Sequence, residues 1–203
     1  MYAVVENNNI TQFINYPKSI VIGDVRYPAK IFTLWSKAEK EAIGIYEIET
    51  DSSNYKDANY YINTNEQYAF ANNKVIKSWG TATPKRLEDE NAVDIDGTPI
   101  LQDGVQVINY GLKTEKKRIV KQQASGLLAP TDWYVVKASE VQGYTIPTDI
   151  STFRAEVRTK SNEMETMIDA CTTVDELKAL YEYTEQQDGT TTRPLPEFPK
   201  EVI

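Results

Sequence analysis

The sequence predicts an α+β protein. A small β-rich N-terminal domain with one short helix is followed by a C-terminal helical module with an antiparallel helix hairpin. Three observations carry this expectation. Up to residue 83 the apolar residues tend to alternate with polar ones between Asn- and Gly-containing turns, the period of strands. From residue 113 they recur every three or four positions, the period of helices. Between the two, residues 84–112 are rich in Asp and Gly and follow neither period, which marks a connector. The expected organisation is therefore a β-rich domain at 1–83, a connector at 84–112, a helical module at 113–187 and a Pro-rich extended tail at 188–203.

The first strand runs over Tyr2–Val5. Asn7-Asn8-Asn9 is a turn, because Asn tolerates left-handed backbone geometry, and Ile10–Asn15 returns as the second strand. Pro17 interrupts, and Ser19–Tyr27 reads as a further short strand. Ser36 and Glu39 form a capping box, in which each side chain satisfies the other residue's backbone amide. That starts a short helix ending near Ile43, with Gly44 as its C-cap. Ile45–Glu49 alternates as a half-buried strand. Tyr60–Ile62 and Glu66–Ala71 are strands, and Asn72-Asn73 joins the latter to Lys74–Trp79 as a hairpin. Tyr60, Tyr61, Tyr68 and Trp79 read as cross-strand aromatic pairs, with a sugar-binding face as the alternative. In the connector, Asp94-Ile95-Asp96-Gly97 reads as a turn. It lacks the terminal bidentate Glu of a calcium loop.

The second half is organised around Leu127–Val136. A helix capped by Thr114 places Ile119, Val120, Ala124, Leu127 and Leu128 on one stripe, and Pro130 stops it near Leu128. Trp133–Lys137 is aromatic and β-branched, hence extended or buried. In an extended segment Trp133 and Tyr134 point opposite ways. Trp133 is then assigned to the core and Tyr134 to a partner. Thr131, Asp132, Trp133 and Tyr134 are the candidate protein-contact residues. A long helix then begins at Thr148 or Asp149, with Ile150, Val157, Met164 and Cys171 seven apart and Phe153, Lys160 and Met167 between them. Thr173 and Glu176 form a second capping box, and the helix they start should fold back on the first. The tail from Gln186 contains Pro194, Pro196 and Pro199. It suits an extended strand docking on another subunit, or a disordered terminus.

Composition narrows the chemistry. The chain has 203 residues, 40% of them hydrophobic, and a net charge of −8. An acidic chain whose only basic run is Lys116-Lys117-Arg118 is a poor binder of phosphate backbones, so no nucleic-acid partner is expected. The absence of histidine removes Ser-His-Asp and Cys-His catalysis and every His-containing metal site. The single cysteine, Cys171, can neither close an intramolecular disulfide nor hold zinc with other thiolates, and reads as a small buried hydrophobe. No catalytic, cofactor-binding or metal-binding residue is assigned. No apolar run approaches the roughly 20 residues of a membrane span, so no membrane insertion is expected. The start, Met1–Asn7, does not read as a signal peptide.

One resemblance adds a function. Leu127-Leu128-Ala129-x-Thr131-Asp132-Trp133-Tyr134 follows a basic helix. After it come Ile146-Pro147, Phe153-Arg154, Val157-Arg158, Ser161-Asn162 and Thr173-Val174-x-Glu176-Leu177. This order resembles a module of tail and tail-fibre-associated proteins of tailed bacteriophages, of the marine-phage type. It is also similar to tail assembly chaperones of the XkdW type. The likeness covers about Lys113–Tyr181. A looser likeness extends to Tyr27–Phe32 and Ile43–Tyr46. It implies a non-enzymatic tail component, made in the host cytoplasm and located in the virion. Its partners would be other tail or tail-fibre proteins, or further copies of itself, and its role fibre attachment or host adsorption. The alternative it implies is an assembly chaperone that is not retained at high copy. A third class, a carbohydrate-active enzyme, needs two carboxylates flanking a sugar cleft. Thirty acidic residues supply many pairs and single out none.

Overall fold

Asn7 and Asn8 pass through left-handed geometry, at φ of 51° and 64°, and close the first hairpin. In the computed structural model, which describes residues 1–201, the chain divides into two units, Met1–Pro84 and the residues from Lys85 onward.

The first unit opens with β1 (Tyr2–Glu6) and β2 (Asn9–Ile14), then the hairpin of β3 (Ile20–Ile22) and β4 (Val25–Tyr27). Two short helices follow, α1 (Ile31–Leu34) and α2 (Lys37–Ala42). The remaining strands are β5 (Ile45–Thr50), β6 (Tyr61–Ile62), β7 (Gln67–Ala71), β8 (Lys74–Ser78) and β9 (Thr83–Pro84). The main sheet has the order β2-β1-β5-β8-β7, with β5 and β8 parallel. β1 lies inside it and is apolar on both faces, which is why Ala3, Val4 and Val5 run consecutively. Val4 packs with Ile14, Ile20, Ile31, Phe32 and Ile45. Ala3 and Val5 pack with Val75 on the opposite face.

The expected capping box is present: Ser36 Oγ accepts from Glu39 N, and Glu39 accepts from Ser36 N. Gly44 ends α2 at φ +81°, and a Cβ there would stand 2.6 Å from Val5 O. Only glycine fits, because that close approach lets Val5 N donate to Gly44 O at 2.8 Å. The single short helix expected here becomes two. α1 is one turn, too short to show a period, and the burial of Ile31 and Phe32 fixes it.

The second unit begins with β10 (Glu90–Asn91), β11 (Leu101–Gln102), β12 (Val105–Gln106) and β13 (Ile108–Asn109). Then come α3 (Leu112–Leu128), a 3-10 turn at Ala129–Thr131, α4 (Asp132–Glu140) and α5 (Thr148–Ala170). The chain finishes with α6 (Val174–Ala179) and the hairpin of β14 (Thr184–Glu185) and β15 (Thr191–Thr192). Residues 84–112 are thus not a free connector. From Lys85 they belong to this unit, and they cap its first helix. α3 starts at Leu112, two residues before the expected cap at Thr114. Asp89 takes the capping role from 22 positions away: its carboxylate accepts from Gly111 N at 2.8 Å and from Thr114 Oγ1 at 3.0 Å.

The long antiparallel helix pair is α3 with α5. Lys117 meets Asp169 and Lys121 meets Glu165, while Arg154 reaches the last carbonyl of α3 at Leu128. The buried seam of α5 is Ile150, Phe153, Arg154, Val157, Ser161, Met164 and Ile168, and Cys171 is buried just beyond it. Ser161 and Ile168 take the positions expected of Lys160 and Met167, because a stripe at 3.6 residues per turn drifts from a strict heptad. Burial pushes the Cys171 thiol upward, with Glu176 adding to the shift, so the sulfur stays a protonated hydrophobe.

The second capping box, Thr173 with Glu176, is also present. The Glu176 carboxylate lies below its ordinary value near 4.5, first through the Thr172 amide and then the Thr172 hydroxyl. A depressed carboxylate stabilises fully above its unfolded value, and the effect fades as pH falls through the folded one. Glu176→Gln should therefore lower stability to denaturant at neutral pH. The difference from the parent should shrink as pH falls below the ordinary carboxylate value and through the lower folded one, as urea titrations across the acid range would show.

The expected Pro-rich tail packs on its own unit. Leu195 is 2% exposed, its amide donates to Leu180 O, and Phe198 joins Ala124, Phe153 and Val157. Arg193 lies over the rings of Tyr181 and Tyr183. Its Nε is 2.8 Å from Glu197 but out of hydrogen-bond alignment, so that contact is ionic only. Two apolar side chains among the prolines supply the burial that orders the segment. The last two positions of the expected tail lie outside the described residues.

Candidate protein-contact site around Arg154

The site forms where α3 ends. Pro130 cannot continue the helix with a backbone donor, so Ala129–Thr131 tightens into a 3-10 turn and α4 restarts at Asp132. Turning there strands the carbonyls of the last turn of α3. Thr131 Oγ1 donates to Leu128 O at 2.8 Å. Arg154 projects from α5 and supplies the rest. Its Nη1 donates to Leu128 O at 3.0 Å and to Thr131 Oγ1 at 2.5 Å, and its Nη2 lies 2.8 Å from Asp132 Oδ1. The Arg154 side chain is 8% exposed and that of Asp132 61%. One buried guanidinium therefore clamps the end of α3, the turn and the first residue of α4 to the N-terminal third of α5. Its planar fork suits three partners at once, which a lysine ammonium would not match.

α4 carries no buried residue. Trp133 is 51% exposed, and Val135 and Val136 are exposed beside it. The Trp133 and Tyr134 rings lie 3.9 Å apart at an interplanar angle of 32°. Lys137 extends over Trp133 and Tyr144. Trp133, Val136 and Lys137 share a face by their three- and four-residue spacing.

The four candidate residues thus come together in one turn, but in changed roles. Thr131 is buried and structural, and Asp132 is an exposed ligand of Arg154. The segment is helical rather than extended, so Trp133 does not enter the core, and Tyr134 is the half-buried member of the pair. Arg154 was not among the candidates. The signal available in sequence was an arginine inside the apolar stripe Ile150, Phe153, Val157, where a lone charge must find partners.

The aromatic residues of the first unit form no open sugar platform. Tyr60 and Tyr61 are buried, Tyr68 pairs with Phe13 and Trp79 with Tyr55. Asp94–Thr98 is a turn whose Asp94 carboxylate accepts from the amides of Asp96 and Thr98. Among the described residues no group of three Cys, Asp or Glu is placed to hold a metal ion, and no helix is long and apolar enough to cross a membrane. No family model, curated protein or solved structure matches the chain.

Proposed function

We propose that this chain is a non-enzymatic bacteriophage tail component that binds another tail or tail-fibre protein and contributes to fibre attachment or host adsorption. The observation that supports it is α4: a nine-residue helix with no buried residue, an exposed tryptophan and two exposed valines, held in place by Arg154. Rigidly presented aromatic residues are the usual anchors of protein interfaces. The segment also carries the residues, Thr131-Asp132-Trp133-Tyr134, on which the likeness to phage tail modules rests. A second reading, an assembly chaperone, draws on the likeness of the helical module to the XkdW type. Quantitative mass spectrometry of purified particles and of infected-cell lysate separates them. Stoichiometric copies in the particle are expected for a tail component. Absence from particles, with recovery from lysate bound to a tail protein, would transfer the assignment to the chaperone. Absence from both would reject both readings.

A further inference from the structure

Residues 90–109 form a two-pronged fork. Three backbone hydrogen bonds close its junction: Ala92 N to Val107 O, Ile100 N to Ala92 O and Val107 N to Ile100 O, at 2.8, 2.9 and 2.9 Å. Gln106 Nε2 ties the junction further, donating to Ala92 O and Val107 O at 2.8 Å each. One ladder, β10 with β13, leads from the junction toward α3. The other two are prongs. Val93 bridges Pro99 below the turn at 94–98. β11 pairs with β12 below the turn at Asp103-Gly104.

Both prongs expose apolar side chains. Ile95 is 100% exposed, Val105 69% and Leu101 59%. Leu101 pairs with Gln106 and Gln102 with Val105. Paired residues share a face and neighbours alternate, so Leu101 and Val105 stand on opposite faces of one hairpin. A half-buried hairpin would keep one face polar. Apolar residues on both faces of a projecting hairpin are covered together only by a partner that wraps it. The charges select the partner. Asp94, Asp96 and Asp103 sit at the turns and make no ion pair among the described residues, and no Lys or Arg occurs between Glu88 and Asn109. Two copies meeting here would bring these carboxylates together as water leaves, which disfavours self-pairing.

We propose that this fork is a second docking element, separate from α4, for an apolar protein surface edged with lysine or arginine. The probe is an amphipathic synthetic peptide of leucine and lysine, titrated into the isotope-labelled full chain and followed by NMR, with a leucine and glutamate peptide as control. Shift changes should concentrate on residues 92–107, and added salt should weaken them. The pair Leu101→Ser and Val105→Ser should bind at least about tenfold more weakly, as loss of two anchors requires. Both positions are exposed, so resonances elsewhere should stay in place and report an intact fold. Shifts centred on α4 or spread over all acidic surfaces would overturn the proposal. Equal binding of the glutamate peptide would overturn it too, as would concentration-dependent broadening of 92–107 in the free protein, which would mark self-association.

Discussion

Phe153→Ala should destabilise the second unit by about 3–5 kcal/mol, the cost of a large aromatic removed from a core. Phe153 is 3% exposed, and the cluster it belongs to draws on three separate parts of the chain. Ala124, Leu127 and Leu128 come from α3, Val157 from α5 and Phe198 from the C-terminal segment. The site cannot collapse easily around the vacancy, because its neighbours are fixed on two long helices, α3 and α5. The effect should therefore fall at the upper end for a helix-packing residue, with the C-terminal segment loosening first. Urea unfolding with proteolysis at Pro194–Pro199 would check both parts. A loss below about 1 kcal/mol would mean that the cluster does not hold the two helices together.

Arg154→Ala should cost about 2–4 kcal/mol, since it removes the donor to Thr131 Oγ1, leaves Leu128 O with the Thr131 hydroxyl alone, and empties the space of a buried side chain. The ion pair with Asp132 adds little, because that carboxylate is 61% exposed and screened by water. Asp132→Asn should accordingly change stability by less than about 1 kcal/mol. Arg154→Lys should fall between the two, keeping the charge but losing the fork. Hydrogen exchange provides the local readout. Amides of 132–140 should exchange faster in Arg154→Ala than in Asp132→Asn. Equal protection in both would show that α4 is held by something other than the guanidinium.

What could be read from sequence was what is decided locally. The turns at Asn7-Asn8 and Asn72-Asn73 and both capping boxes follow from neighbours within a few residues, and all four are present. What could not be read depends on distant partners. The parallel pairing of β5 with β8 joins segments separated by two intervening strands. The capping of α3 by Asp89 joins a residue of the expected connector to a helix start. Residues 133–137 are the instructive case. Two valines and two aromatics favour a strand, but the helical penalty of such residues is at most about 0.7 kcal/mol each. A penalty of that size does not prevent a helix from starting at Asp132, which Arg154 holds at the preceding turn. The candidate residues lie together at the start of α4, while the choice of which ring faces outward followed from the wrong periodicity. Arg154, the residue that organises the site, is invisible to any window that does not span α3, the turn and α5 together.

The central claim is that the exposed α4 face, with Trp133 as its anchor, is where this chain holds a tail or tail-fibre protein. The direct measurement is the affinity of the parent and Trp133→Ala proteins for a tail-fibre protein of the kind the proposal names, alongside their thermal melts. Trp133→Ala should melt within a few degrees of the parent, because the ring is half exposed. Its complex should be weaker by about 2 kcal/mol, roughly thirtyfold in Kd. Unchanged affinity for the fibre protein in a Trp133→Ala variant that melts much earlier would contradict the claim and return Trp133 to a purely structural role.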